Sequence, residues 1–349
     1  MSDAVPELAP WQQRAYAQAA DALDGGRMGH ALLFCGPALL GKRAVAERLA
    51  QRLLCGARRP GEEPCGACRS CRLFAQRSQE DPPRTRPDGS LVHPFGRPGH
   101  PDFIAIGFEL NEKAKPPKMR SEIVIEQIRA LSERLALTAQ YGDVQVALID
   151  PADAVNHAAS NALLKTLEEP QPGRYLWLVT AEPARLSATI RSRCQRLDFP
   201  LPPRDEALAW LQRRGHAAAA ATEALGAARG HPGLADAWLR DGGLALRREV
   251  GSDLGKLARG EVSPVALAQR WVADDQAALR LRFAADLALA EAAGLTDPAR
   301  TRRLAAWFDQ ANRTGALLRT TVRADLAVAE LLLAWRGGDT SRVAEGRMR

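Results

Sequence analysis

Four cysteines, Cys55, Cys65, Cys68 and Cys71, fall within seventeen residues in the pattern C-x9-C-x2-C-x2-C. Thiolates are soft donors, and four of them make the closed tetrahedral set of a structural Zn2+. Pro64, Gly66, Arg69 and Ser70 surround them, which argues against reduced thiols packed in a core. An iron–sulfur cluster is the competing metal reading, although nothing nearby suggests redox chemistry. Cys35 and Cys194 stand alone and read as small buried residues.

A second constellation is GPALLGKR, which opens at Gly36 and ends at Arg43. Gly36, Gly41 and Lys42 match a phosphate-binding loop, in which backbone N–H groups cradle phosphates and the lysine reaches the outer ones. The next position should be Ser or Thr, whose hydroxyl ligates Mg2+. Here it is Arg43, a cation with no lone pair to offer. The apolar run VQVALID ends in Asp150, where a strand-end acid would help hold the metal. Pro151 stands where the water-polarising Glu of a hydrolase is expected. Metal ligand and base are thus missing together, which makes ATP hydrolysis improbable at this site and leaves weak, Mg-independent ATP binding open. A glycine-rich turn unrelated to nucleotides is the plainer alternative.

The elements that must position these groups follow from periodicity. Residues 10–24 and 44–54 read as helices, and 30–36, 144–150 and 175–181 as buried strands. Strand, glycine-rich loop and helix is the context a phosphate loop requires. Residues 121–137 read as an amphipathic helix with Ser121 as N-cap, and 156–169 as a helix stopped by Pro170. ATIRSR, 188–193, reads as a short helix after the third strand. Alternating strands and helices imply a parallel α/β sheet, whose ligands bind at the carboxyl ends of its strands. Residues 78–118 change character: they are rich in Pro and Gly, with only 102–108 strand-like, and most of 78–100 reads as an irregular, mobile surface excursion. Beyond 200 the pattern is helical throughout, interrupted by DGG at 241–243, and the last dozen residues read as a disordered tail.

The chain of 349 residues is long enough for two or three domains. Its net charge of +7 suits proximity to nucleic acid and suits an ordinary solvated surface equally well. No apolar run reaches membrane-spanning length, and the N-terminus lacks the pattern of a signal peptide, so a cytoplasmic protein is expected.

Residues 161–199, with NALLKTLEEP at 161–170 and Ser192-Arg193-Cys194, closely resemble the core of bacterial clamp-loader AAA+ subunits. HALLFCGP at 30–37 and the four-cysteine module after the first loop helix match as well. The resemblance covers roughly 10–200. It implies a P-loop AAA+ core over 1–200 with an inserted zinc module (55–71), a helical lid over 201–241, an all-α collar domain over 244–336 and a tail over 337–349.

It also implies an accessory subunit of the DNA polymerase III holoenzyme. Its partners would be gamma/tau motor subunits and a delta subunit and, through the complex, the sliding clamp and primed DNA. The missing Ser/Thr and Glu place it with the non-motor members. Gly233 stands where motor subunits are aligned to carry a lid arginine. Arg193 becomes an arginine finger acting in trans on a neighbour's ATP, the alternative being a solvated charge at a helix end. Arg191 stands level between the two readings. So do Glu168 and Glu169, between meeting a basic partner surface and simple solvation. Thr180 holds a sensor position and is expected to satisfy local backbone groups.

The rivals are an ATP-hydrolysing motor subunit and a free-standing zinc-ribbon nucleic-acid binder. The latter would have to use Arg58, Arg59, Arg69, Arg72 and Phe74.

Overall fold

A computed structural model describes residues 7–78, 96–115, 117–318, 320 and 322–337. The chain divides into two compact units, Met1–Ala235 and Asp236–Arg349.

The first unit is built on five parallel strands: β1 (Ala31–Cys35), β4 (Phe103–Ile106), β7 (Gln145–Ile149), β8 (Arg174–Thr180) and β9 (Gln195–Asp198). Two short ladders accompany them, β2 (Arg77–Ser78) with β3 (Arg97–Pro98), and β5 (Leu110–Asn111) with β6 (Lys118–Met119), both antiparallel. The sheet order is β4-β7-β8-β1-β9. Strands β1 and β7 are buried along their whole length. That is the pattern of a sheet covered on both faces, and it explains why these strands read as unbroken apolar runs.

One face packs on α1 (Pro10–Asp24), α2 (Lys42–Leu54) and α3 (Arg69–Ala75), through Phe34, Trp177, Phe103 and Phe74 among others. The other packs on α4 (Ile125–Ala136), α5 (His157–Glu168) and α6 (Ala188–Arg193), through Leu33, Ile149, Leu163 and Ile190. The helix after β1 therefore lies on the opposite face from the helices after β7 and β8. This divergence falls at the carboxyl ends of β1 and β8, the kind of place where open α/β sheets bind ligands.

Helix starts follow local chemistry. Asn156 caps α5 by accepting from the Ala159 N–H, and Ser187 caps α6 by accepting from Ile190. Helix α4 corrects the expectation of a Ser121 cap. Ile123 is held extended instead, its N–H donating to Ala154 and its carbonyl accepting from Asn156, so the helix begins only at Ile125. The Gln127 side chain closes that start, accepting from the Val124 N–H at 3.0 Å. Strand β9 was not anticipated: it is a four-residue edge strand with only Leu197 buried. The β5–β6 ladder likewise lies in a stretch read as irregular. The greater part of the 78–100 excursion, residues 79–95, falls outside the described residues; β2 and β3 pair on either side of it.

After the sheet come α7 (Arg204–Arg213), α8 (Ala218–Ala227) and α9 (Pro232–Arg240). Trp11 meets Trp210 edge-on at 5.2 Å, and Arg14 pairs with Glu206, which fastens α7 to α1. The division between units falls inside α9, ahead of the linker expected at 241–243.

The second unit holds α10 (Gly243–Ala258), α11 (Pro264–Trp271), α12 (Ala277–Ala293), α13 (Pro298–Leu317) and α14 (Ala324–Gly337). Three of its indole N–H groups are satisfied internally. Trp271 donates to Asp253 at 2.9 Å, Trp307 to the Leu331 carbonyl at 2.9 Å, and Trp335 to the Leu254 carbonyl at 3.2 Å. Asp274 receives a forked contact from the Arg280 guanidinium, one arm at 2.8 Å, which holds its carboxyl down at about 2. The expected tail lies, from residue 338 on, outside the described residues.

Candidate functional site

The glycine-rich loop sits where the sheet places it, between β1 and α2. Gly41 adopts a left-handed φ of 79° and forms the N-cap of α2. A side chain there would also collide with Gln12, whose Nε2 would lie 2.1 Å from an added Cβ. Gln12 and Trp11 both donate to the Leu40 carbonyl, at 3.0 and 3.1 Å, so α1 clamps the loop from outside. Lys42 is buried, and its ammonium is bound to the loop's own carbonyls, at 2.7 Å from Gly36 O and 2.6 Å from Pro37 O.

Arg43 does more than fail to ligate a metal. Its Nη1 donates to Asp150 Oδ2 at 3.2 Å and its Nε to Glu47 Oε1 at 2.9 Å. Arg77 holds the other Glu47 oxygen at 2.8 Å. All four side chains are largely buried. Burial opposes the charge on Arg43, but Glu47 and Asp150 outweigh it, and the guanidinium's pKa lies above its ordinary value. A fixed organic cation therefore occupies the carboxylate that would help hold Mg2+ in a hydrolase.

The loop is also covered from a third side. At Gly233, near the start of α9, an added Cβ would lie 2.0 Å from the Leu39 carbonyl oxygen. No residue with a side chain fits there without moving α9 or the loop, so a lid arginine at 233 is incompatible with this packing. At the end of β8, Thr180 is fully buried and its hydroxyl accepts from the Glu182 N–H at 3.1 Å. It satisfies local backbone, as expected.

Arg193 ends α6 on the opposite face of the sheet, exposed. Its Nη2 lies 2.6 Å from Glu168 Oε1, and its Nη1 donates to the Thr189 carbonyl at 3.1 Å. Neither reading of Glu168 foresaw this: its partner is in the chain itself. Arg191 is exposed as well.

The four cysteine sulfurs lie within 4.8 Å of one another, with Cys55–Cys65 at 3.6 Å, Cys55–Cys68 at 3.8 Å and Cys65–Cys71 at 4.0 Å. Four S donors at about 2.3 Å from a tetrahedral ion would be separated by similar distances. Backbone N–H groups of Cys65, Cys68 and Cys71 donate to the preceding ligand sulfurs at 3.3–3.4 Å. These bonds favour thiolates: the N–H groups of Cys68 and Ala67 draw the Cys65 thiol down to about 6, while burial pushes the Cys71 thiol up. The donor set fits a metal ion.

The module is anchored by charge. Asp24 accepts from Arg52, Arg58 and the Gly61 N–H, and Glu63 accepts from Arg52 and Tyr16. Arg69 lies over the Tyr141 ring at 4.8 Å, and Phe74 is buried against Phe103. Three of the five residues a zinc-ribbon reader would have to use are therefore committed to the fold. Cys35 and Cys194 are buried, as expected of them.

The family model described as "DNA polymerase III, delta subunit" matches residues 11–203. The chain is 35% identical over 270 residues to DNA polymerase III subunit delta' of Pseudomonas aeruginosa, covering 76% of this chain and 71% of that protein. It is 33% identical to the delta' subunit of Haemophilus influenzae, over 59% of this chain and 54% of that one. DNA polymerase III subunit gamma/tau of Mycobacterium tuberculosis is 32% identical over 55% of this chain, a match spanning 28% of the gamma/tau chain. With a family model over more than half its length and a relative at this identity matched over most of both chains, the protein belongs to the DNA polymerase III delta' family.

Proposed function

We propose that the chain is a non-hydrolysing AAA+ stator subunit of the DNA polymerase III clamp loader. It would help place the sliding clamp on primed DNA, in a hetero-oligomer with gamma/tau motor subunits and a delta subunit in the cytoplasm. Among the described residues no helix is long and apolar enough to cross a membrane. In this reading α7–α9 belong to a lid over 201–241, and α10–α14 make the collar over 244–336.

The observation that carries the reading is the Arg43–Asp150 pair. Magnesium-dependent hydrolysis needs a metal ligand after Lys42, a free strand-end carboxylate and a base beside it. This chain has a guanidinium on the carboxylate and Pro151 in place of the base. The motor reading loses on the same observation. Gly36, Gly41 and Lys42 would then hold nucleotide weakly or not at all.

Arg193, exposed at the end of α6, would act in trans and stabilise charge developing on a neighbour's γ-phosphate. Cys55, Cys65, Cys68 and Cys71 would hold a Zn2+ that ties the segment after α2 to α3. With four protein ligands such an ion has no open position, so its role would be structural.

The test is ATP turnover by the purified chain, alone and reconstituted with its motor subunit. The reading expects none alone, and turnover in the complex that depends on Arg193. Metal-dependent turnover by the isolated chain would overturn it.

A further inference from the structure

We propose that Glu168 is the positioning residue for Arg193, holding its guanidinium in the orientation needed at a neighbouring subunit's nucleotide; this rests on the reading of Arg193 as a trans finger. Glu168 is the last residue of α5, and a carboxylate at that end opposes the helix dipole. A neighbouring guanidinium offsets that cost, and Arg193 supplies it through the 2.6 Å contact.

The anchoring is two-sided. Nη2 is held by Glu168 and Nη1 by the Thr189 carbonyl, so the plane of the guanidinium is set by two different helices, α5 and α6. A guanidinium has five N–H donors. Two are spent on this bracket, and three remain for phosphate oxygens. The bracket is specific to this arginine, since among the described residues no side-chain hydrogen bond or ion pair is recorded for Arg191, two positions earlier.

Helix α5 is itself a firm base. Its Leu167 carbonyl meets the His30 imidazole at 3.1 Å, and its Leu163 and Leu167 are buried in the core. A long, flexible arginine gains rate only if little motion must be frozen on reaching the transition state, and a bracket on rigid helices removes that motion in advance.

The pair is also open to solvent, with 35% of the Arg193 side chain and 47% of the Glu168 side chain exposed. Exposed pairs contribute little to stability. Removing Glu168 should therefore leave the fold and complex assembly intact, so that a kinetic effect can be read by itself.

The experiment is steady-state ATP hydrolysis by the complex reconstituted from full-length subunits, with Glu168→Ala, Glu168→Gln, Arg193→Ala and the Glu168→Ala/Arg193→Ala double variant. Assembly is checked by gel filtration. Glu168→Ala is expected to lower kcat about tenfold with KM for ATP unchanged, in the range set by residues that orient a functional group. Glu168→Gln, which keeps an acceptor oxygen, should stay within about threefold of wild type. The double variant should be no slower than Arg193→Ala, because nothing remains to be positioned. Wild-type turnover in Glu168→Ala beside impaired Arg193→Ala would overturn this inference and leave the finger standing. Faster turnover in Glu168→Ala would overturn it too, by making Glu168 a restraint. Wild-type turnover in Arg193→Ala would remove the finger and this inference together.

Discussion

Replacing Arg43 with Ala probes the residue that stands where a phosphate-binding loop is expected to carry Ser or Thr. The substitution withdraws a buried guanidinium from Asp150 and Glu47, whose side chains are only 10% and 8% exposed. Removing one partner of a buried ion pair costs about 3–5 kcal/mol, because the remaining charge is left in a poorly solvated place. Arg77 still holds Glu47, so the lower end, about 3 kcal/mol, is expected. At about 2–4 °C per kcal/mol for a unit of this size, melting of the sheet unit should fall by roughly 6–12 °C. Hydrogen exchange at Ala31–Cys35 and Gln145–Ile149 localises the loss, since β1 and β7 flank the network. Asp150→Asn in the Arg43→Ala background should recover part of it, because a buried carboxylate charge is then gone. A loss below about 0.5 kcal/mol, or an exchange change spread evenly over the chain, would refute the idea that Arg43 serves as a fixed counter-cation.

Three further outcomes are expected. Purified chain should contain about one zinc per molecule, and chelation should raise exchange across 55–75 while leaving the second unit unchanged; substoichiometric metal counts against the cysteine assignment. Gly233→Ala should destabilise the sheet unit by about 1–3 kcal/mol in denaturant unfolding, because its Cβ meets the Leu39 carbonyl, and a neutral result would mean that α9 does not close on the loop. The Asp274 carboxyl is depressed to about 2 by Arg280, so its contribution is present above about pH 4 and lost as the pH falls through about 2. Asp274→Asn should flatten that part of the second unit's acid melting curve, and an unchanged curve would show the pair to be inert.

Much of the fold was legible because its signals are local. Strands β1, β7 and β8 are buried on both faces and therefore read as apolar runs, and α5 announces its end through Pro170. Strand β9 hid because an edge strand with three exposed polar residues carries no apolar pattern. The start of α4 was misplaced because Ile123 is claimed by backbone bonds to Ala154 and Asn156, a tertiary demand no N-cap rule contains.

The site divides the same way. The cysteine spacing alone suggested a metal, since the ligands are close in sequence. Arg43 was visible as the wrong residue in a loop, but its partner lies 107 positions away, and only the folded sheet brings Asp150 to it. Glu168 looked like a charge in an unfavourable place until α6 delivered Arg193 beside it. Gly233 read as a missing arginine, whereas the packing makes it a required glycine.

The most direct test of the central claim, a subunit without its own ATP chemistry that completes a neighbour's site, is ATP turnover of the reconstituted clamp loader with wild-type chain and with Arg193→Ala. The account predicts that Arg193→Ala lowers the turnover that depends on this interface by about 10^3–10^5-fold, the range arginine fingers supply elsewhere, with assembly unchanged. Equal turnover by the two complexes would contradict it.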